Sequence, residues 1–123
     1  MELNNPQVLA EVSAAFQRYQ DAIIENDVAV LNELFWNDPL TIRYGIGENL
    51  YGHAAIAGYR SARNPANLVR VETERVVTAY GSDYATTNIE FTRQGRTGRQ
   101  SQAWVRMPEG WRIVAAHVSY MES

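Results

Sequence analysis

The chain of 123 residues contains no cysteine, which excludes disulfide frameworks, zinc–thiolate and iron–sulfur ligation and a thiol nucleophile. Lysine is missing too, because all eleven basic residues are arginine. Schiff-base chemistry, a pyridoxal-phosphate lysine and the phosphate-gripping lysine of a P-loop are therefore impossible. No apolar run approaches the ~20 residues that span a bilayer. The first residues have neither the basic start nor the apolar stretch of a signal peptide, so a cytoplasmic protein with no membrane partner is expected. An excess of positive charge is also lacking. The formal net charge is -3, against the basic footprint usual for nucleic-acid binding. What remains is oxygen and nitrogen chemistry. Arginine is always charged and presents a planar fork suited to carboxylates, so a site in this chain is expected to take a small anion.

With 46% hydrophobic and 20% charged residues, the composition is that of an ordinary folded domain. The length fits a single domain covering 1–123. Asn5-Pro6 opens a helix, and Val8, Val12, Ala15, Phe16, Tyr19 and Ile23 share one face of it, predicting a helix over 6–25. Asp27 caps a shorter helix whose buried side is Val28, Leu31, Leu34 and Phe35, and Asp38-Pro39 stops it. Residues 40–44 alternate as a short strand, with Leu40, Ile42 and Tyr44 on its apolar side and Thr41 and Arg43 opposite. Residues 48–51 return as its partner, 53–63 form an Ala-rich helix, and Asn64-Pro65 closes it. The stretches 68–80, 83–93, 98–107 and 111–121 are rich in β-branched and aromatic residues and are separated by short turns. They predict an antiparallel meander. Helices that pack on one face of such a curved sheet make a cup, the natural place for a ligand. Apolar side chains on the other face suggest a twofold dimer.

The candidate residues each admit a plain reading beside a chemical one. Tyr19 lies on the buried side of the first helix, as a core tyrosine or with its hydroxyl in the cavity. Arg43 points either to solvent at a sheet edge or into a polar hollow, where its fork would hold a carboxylate. Gln100 and Gln102 share a strand face with Trp104, either as the wall of a wet pocket or as an outward face with Trp104 on a dimer contact. His117 shares strand parity with Trp111, Ile113, Ala115 and Ser119, which makes it a neutral core histidine or a ligand contact. His53 reads as a capping or surface residue. Tyr59, Arg60 and Arg63 either rim the cup or form a solvated face. Two distant histidines without a carboxylate pattern do not make a metal motif, and no nucleophile elbow is present. No cofactor is expected.

The order helix, helix, short strand with arginine, helix and four-stranded meander resembles the NTF2-like superfamily. Within it the chain is similar to the small AtzH-like (DUF3225) proteins associated with cyanuric acid catabolism. The segments that carry the likeness are Phe16-Gln17-Arg18-Tyr19, Thr41-Ile42-Arg43-Tyr44-Gly45, Gly98-Arg99-Gln100-Ser101-Gln102 and Gly110-Trp111-Arg112-Ile113-Val114-Ala115-Ala116-His117-Val118-Ser119. The resemblance implies an α+β NTF2-like cone of three helices on a strongly curved, mainly antiparallel sheet, and a homodimer. It also implies a decarboxylating amidohydrolase that turns 1,3-dicarboxyurea into allophanate, in functional association with an amidase. A tyrosine and an arginine required by that family match Tyr19 and Arg43. Beside them Gln100, Gln102 and His117 are expected, from their strand positions and not from the resemblance, to complete the polar wall as substrate contacts. Two other functions compete: a different NTF2-like enzyme such as an isomerase or dehydratase, needing an inward carboxylate such as Asp21 or Glu90, and a non-catalytic ligand-binding or accessory subunit of an amidase.

Overall fold

In the computed structural model, which describes residues 1–66 and 68–122, the Asn5 side chain accepts hydrogen bonds from the backbone N–H groups of Gln7 and Val8 at 3.0 and 3.3 Å. That cap and Pro6 start helix α1, Pro6–Glu25, which ends where Asn26 takes the left-handed conformation at φ 54°. Asp27 caps α2, Val28–Leu34, through the N–H of Val30. Strands β1 (Ile42–Tyr44) and β2 (Asn49–Tyr51) follow, then α3 (His53–Ala62) and the meander of β3 (Val71–Tyr80), β4 (Tyr84–Arg93), β5 (Arg96–Met107) and β6 (Gly110–Tyr120). The strands form one sheet in the order β2-β1-β6-β5-β4-β3. All neighbours are antiparallel except β1 and β6, which run parallel. The architecture is the expected one: three helices on a six-stranded, mainly antiparallel sheet. Among the described residues no helix is long and apolar enough to cross a membrane.

The helices bury their apolar stripes on one face of the sheet. Val12, Phe16, Leu31, Leu34, Phe35 and Ile56 meet Ile89, Phe91, Trp104 and Ile113 in one core. Trp104 is fully buried there, edge-on to Phe16 with ring centroids 6.5 Å apart, and so does not cover an outer surface. Its indole N–H donates to Thr87 Oγ1 at 3.1 Å and to Gln102 Oε1 at 3.2 Å, which satisfies the polar edge of a large buried ring.

Two strands decide which residues reach the interior, β1 by taking the polar-hollow alternative for Arg43 and β6 by departing from the sequence expectation. The first is β1, where Leu40 is 74% exposed while Thr41 is fully buried and Arg43 is only 8% exposed. The polar side of this strand faces the helices and its apolar side faces out. The second is β6. Trp104 pairs with Ile113 but Ala103 pairs with Ala115, leaving Val114 as an extra residue. A bulge of this kind reverses side-chain parity beyond it. Trp111 and Ile113 are buried before the bulge, whereas Ala116 is the buried residue after it, and Ala115 and His117 are exposed. The expected common face of Trp111, Ile113, Ala115 and His117 is thus split, because alternation was carried through a strand that breaks it.

Candidate active site

A cavity of about 320 Å³ opens between the helices and the inner face of the sheet. Tyr19 enters it from α1 and Arg43 from β1. Tyr59 and Arg63 come from the end of α3, Arg70 from the lead into β3, and Arg93 and Gln100 from β4 and β5. Glu48, in the turn before β2, is the carboxylate in this wall. Four guanidinium groups against one carboxylate make a positively charged hollow in a chain whose net charge is negative.

Each group is held by specific contacts. Tyr19 is buried and its ring lies parallel to Phe16 at 6.5 Å. Its hydroxyl oxygen accepts a hydrogen bond from Arg60 Nη2 at 3.3 Å. Burial alone would raise the phenol's pKa, but the charges of Arg60, Arg70 and Arg43 outweigh it and bring the group down to about 8. Arg43 Nη1 donates to Glu48 Oε1 at 2.9 Å, and its guanidinium carbon lies 5.4 Å from the centre of the Tyr59 ring. Arg70 lies over the Phe91 ring at 4.6 Å, while its Nη2 donates to Gln20 Oε1 and Gln100 Oε1, both at 3.0 Å. Arg63 Nη2 donates to Asn26 Oδ1 at 3.0 Å. Burial pulls the pKa of both Arg63 and Arg70 below the ordinary arginine value, with Arg60 adding like-charge repulsion in each case. Arginine nevertheless stays protonated, so the Arg70 charge is confined where water shields it little, while half-buried Arg63 keeps part of its hydration. A bound anion relieves that cost.

Of the five residues singled out in the sequence, Tyr19, Arg43 and Gln100 line this cavity. Gln102 is buried behind the wall, accepting from Thr87 Oγ1 at 3.1 Å and from the Trp104 indole. His117 is on the outer face beyond the bulge, 5.8 Å from the Tyr44 ring. His53 ties α3 to α2, its Nε2 donating to the Asn32 carbonyl at 2.7 Å. Arg60, read as a rim or surface residue, is 1% exposed. Asp21 and Glu90 are exposed. Among the described residues no group of three His, Asp or Glu side chains could hold a metal ion. Arg70 was missed: it lies just before β3, where Leu68 is buried while Val69 and Val71 are 69% and 62% exposed, so the packing turns two valines out and the arginine in.

The AtzH-like family profile matches residues 1–123. The chain belongs to the AtzH-like family. Two solved structures are similar over nearly its full length. A DUF3225-family protein of unknown function from Pectobacterium atrosepticum is 57% identical, with a TM-score of 0.95 over 98% of this chain and 95% of that one. A cystatin-like fold protein from Burkholderia xenovorans is 45% identical, with a TM-score of 0.94 over 100% and 98% of the two chains. An NTF2-like superfamily protein from Salmonella enterica shares the fold of this AtzH-like chain at 24% identity and a TM-score of 0.79, over 95% and 93%. Among curated proteins none matches it.

Proposed function

We propose that this AtzH-like protein is a decarboxylating amidohydrolase that removes one carboxyl group from a small N-carboxylated urea, converting 1,3-dicarboxyurea to allophanate. The observation that carries the reading is a cavity in which the Tyr19 phenol faces a wall of Arg43, Arg63, Arg70 and Arg93. A planar dianion with a carboxylate at each end suits that wall. Arg43 grips one end through a two-pronged hydrogen bond, the geometry in which guanidinium and carboxylate bind best, and Arg63 and Arg70 attract the other.

The chemistry needs a proton at a defined place. As the N–C bond to one carboxyl group breaks, its electron pair stays on nitrogen and carbon dioxide leaves. Tyr19 gives its hydroxyl proton to that nitrogen, and water then returns a proton to the phenolate. The sum is one dicarboxyurea dianion and one proton giving allophanate and carbon dioxide. A phenol near pKa 8 is mostly protonated at neutral pH and is a better acid than an ordinary tyrosine, as general acid catalysis requires. An isomerase or dehydratase built on a carboxylate base fits less well, since Glu48 is tied to Arg43 and Asp21 and Glu90 are exposed.

The test is a mass balance with purified protein and freshly made dicarboxyurea, following allophanate and carbon dioxide together. Equal release of both, lost in Tyr19→Phe and in Arg43→Ala, is expected. Binding without turnover would make the protein an accessory subunit, and activity retained in both variants would remove the assignment.

A further inference from the structure

Arg60 is the buried charge that the reaction above does not use. It lies on α3 with 1% of its surface exposed, sandwiched between aromatic rings, its guanidinium carbon 5.7 Å from the centre of Tyr19 and 5.2 Å from that of Phe35. Among the described residues its one hydrogen-bond partner is the Tyr19 hydroxyl, at 3.3 Å from Nη2. Its Nε and Nη1 are buried without a partner. A buried guanidinium without a carboxylate is expensive, and removing the charge with an apolar side chain of similar length would relieve that expense. The contact it does make is with a group that can become an anion.

The direction of the contact matters. A guanidinium only donates, so Arg60 occupies a lone pair of the phenol oxygen, and the Tyr19 O–H must point elsewhere. We propose that Arg60 is a positioning residue: it turns the Tyr19 hydrogen toward the cavity and carries the counter-charge of the phenolate formed when that hydrogen is given away. This rests on Tyr19 being the proton donor of the proposed reaction. The other charged groups that face Tyr19 are Arg70 from the lead into β3, Arg43 from β1 and Arg63 from the end of α3. All three are committed, Arg43 to Glu48 at 2.9 Å, Arg70 to Gln20 and Gln100, and Arg63 to Asn26 at 3.0 Å. Phe35 from the end of α2 and Phe16 from α1 present only ring surfaces. Arg60 is therefore the one cation of the four that touches the phenol oxygen itself.

The experiment is an ultraviolet titration of tyrosinate absorbance on the intact protein without substrate, comparing wild type, Tyr19→Phe, Arg60→Met and Arg60→Lys. One tyrosine is expected to ionise near pH 8, and that step disappears in Tyr19→Phe. In Arg60→Met the step moves up by at least one pH unit, toward the ordinary value of about 10. Arg60→Lys, which keeps the charge, restores part of the shift and carries the test should Arg60→Met fail to fold. With dicarboxyurea, the alkaline limb of the pH–rate profile moves with the absorbance step. An early step unchanged when Arg60 is replaced, or a wild type with no early step assigned to Tyr19, overturns the inference. Because the titration uses no substrate, it can succeed while the dicarboxyurea assay fails, so the two readings fall separately.

Discussion

At the scale of single residues, the site depends on side chains whose charge is set by their neighbours. Tyr19 has a pKa of about 8 in the folded chain against about 10 when unfolded. The unfolded chain therefore binds more protons between these values, and folding is favoured as pH rises through that window. Wild type is expected to gain about 2–3 kcal/mol relative to Tyr19→Phe on going from pH 7.5 to 10, read by urea unfolding at both values. With Tyr19 as the proposed donor, turnover is expected to run the other way, falling above about pH 8 as the phenol loses its proton. Arg43→Ala removes a charge-assisted grip and is expected to lower kcat/KM by about 100-fold or more. Arg43→Lys recovers little of it, since an ammonium cannot make the two-pronged contact; steady-state kinetics on the three proteins checks both. Tyr19 and Arg43 were legible from residue type and from the family likeness. Arg60 and Arg70 were not, since an arginine on an amphipathic helix or beside a strand usually reaches solvent, and only tertiary packing shows these two turned inward.

At the scale of elements, the helices and the meander follow directly from the sequence. Capping residues, 3.6-residue periodicity and short turns are local signals, and each matched the observed boundary closely. Side-chain facing in the strands was harder to read. An extra residue at Val114 reverses the parity of β6, and nothing in Ile113-Val114-Ala115-Ala116 marks that bulge. The same shift puts Val118 and Tyr120 on the cavity side, places that strict alternation had given to His117 and Ser119. Strand β5 supplies a second element-level test at Gly98. A methyl group there would overlap the Phe91 ring, and Phe91 is the surface on which Arg70 rests. Gly98→Ala is expected to destabilise the fold by about 1–3 kcal/mol, the usual cost of overpacking. It should also weaken substrate binding by displacing Arg70. Thermal unfolding and KM would report the two effects independently.

At the scale of the whole molecule, one face of the sheet carries the helices and the other carries Ile42, Tyr44, Ala103, Ala115 and His117 around an open apolar hollow of about 430 Å³. We propose that a second copy of the chain covers this face about a twofold axis, a self-complementary arrangement common to small homodimers. Sedimentation equilibrium is expected to give twice the chain mass of 13.9 kDa. Ala115→Arg, which sets a charge in the middle of the face, should give the single-chain mass while leaving the circular dichroism spectrum unchanged. A wild type that sediments as one chain removes the dimer. The sequence indicated that an apolar outer face existed, because β-strand alternation is coarse enough to survive one bulge. It grouped Ala115 and His117 with Trp111 and Ile113, although the bulge turns the first two to the outer face.

The ion pair between Arg43 and Glu48, at 2.9 Å, has a consequence for selectivity. The protein's own carboxylate already takes one N–H of the fork that a visiting one is proposed to take, much as a tethered competitor would. A guest with a single acid group merely exchanges one such partner for another and gains little. One that is charged at both ends would also meet the cations beyond, so on the proposed reading a dianion is expected to displace a simple monocarboxylic acid in a competition binding assay, a filter that works without any door.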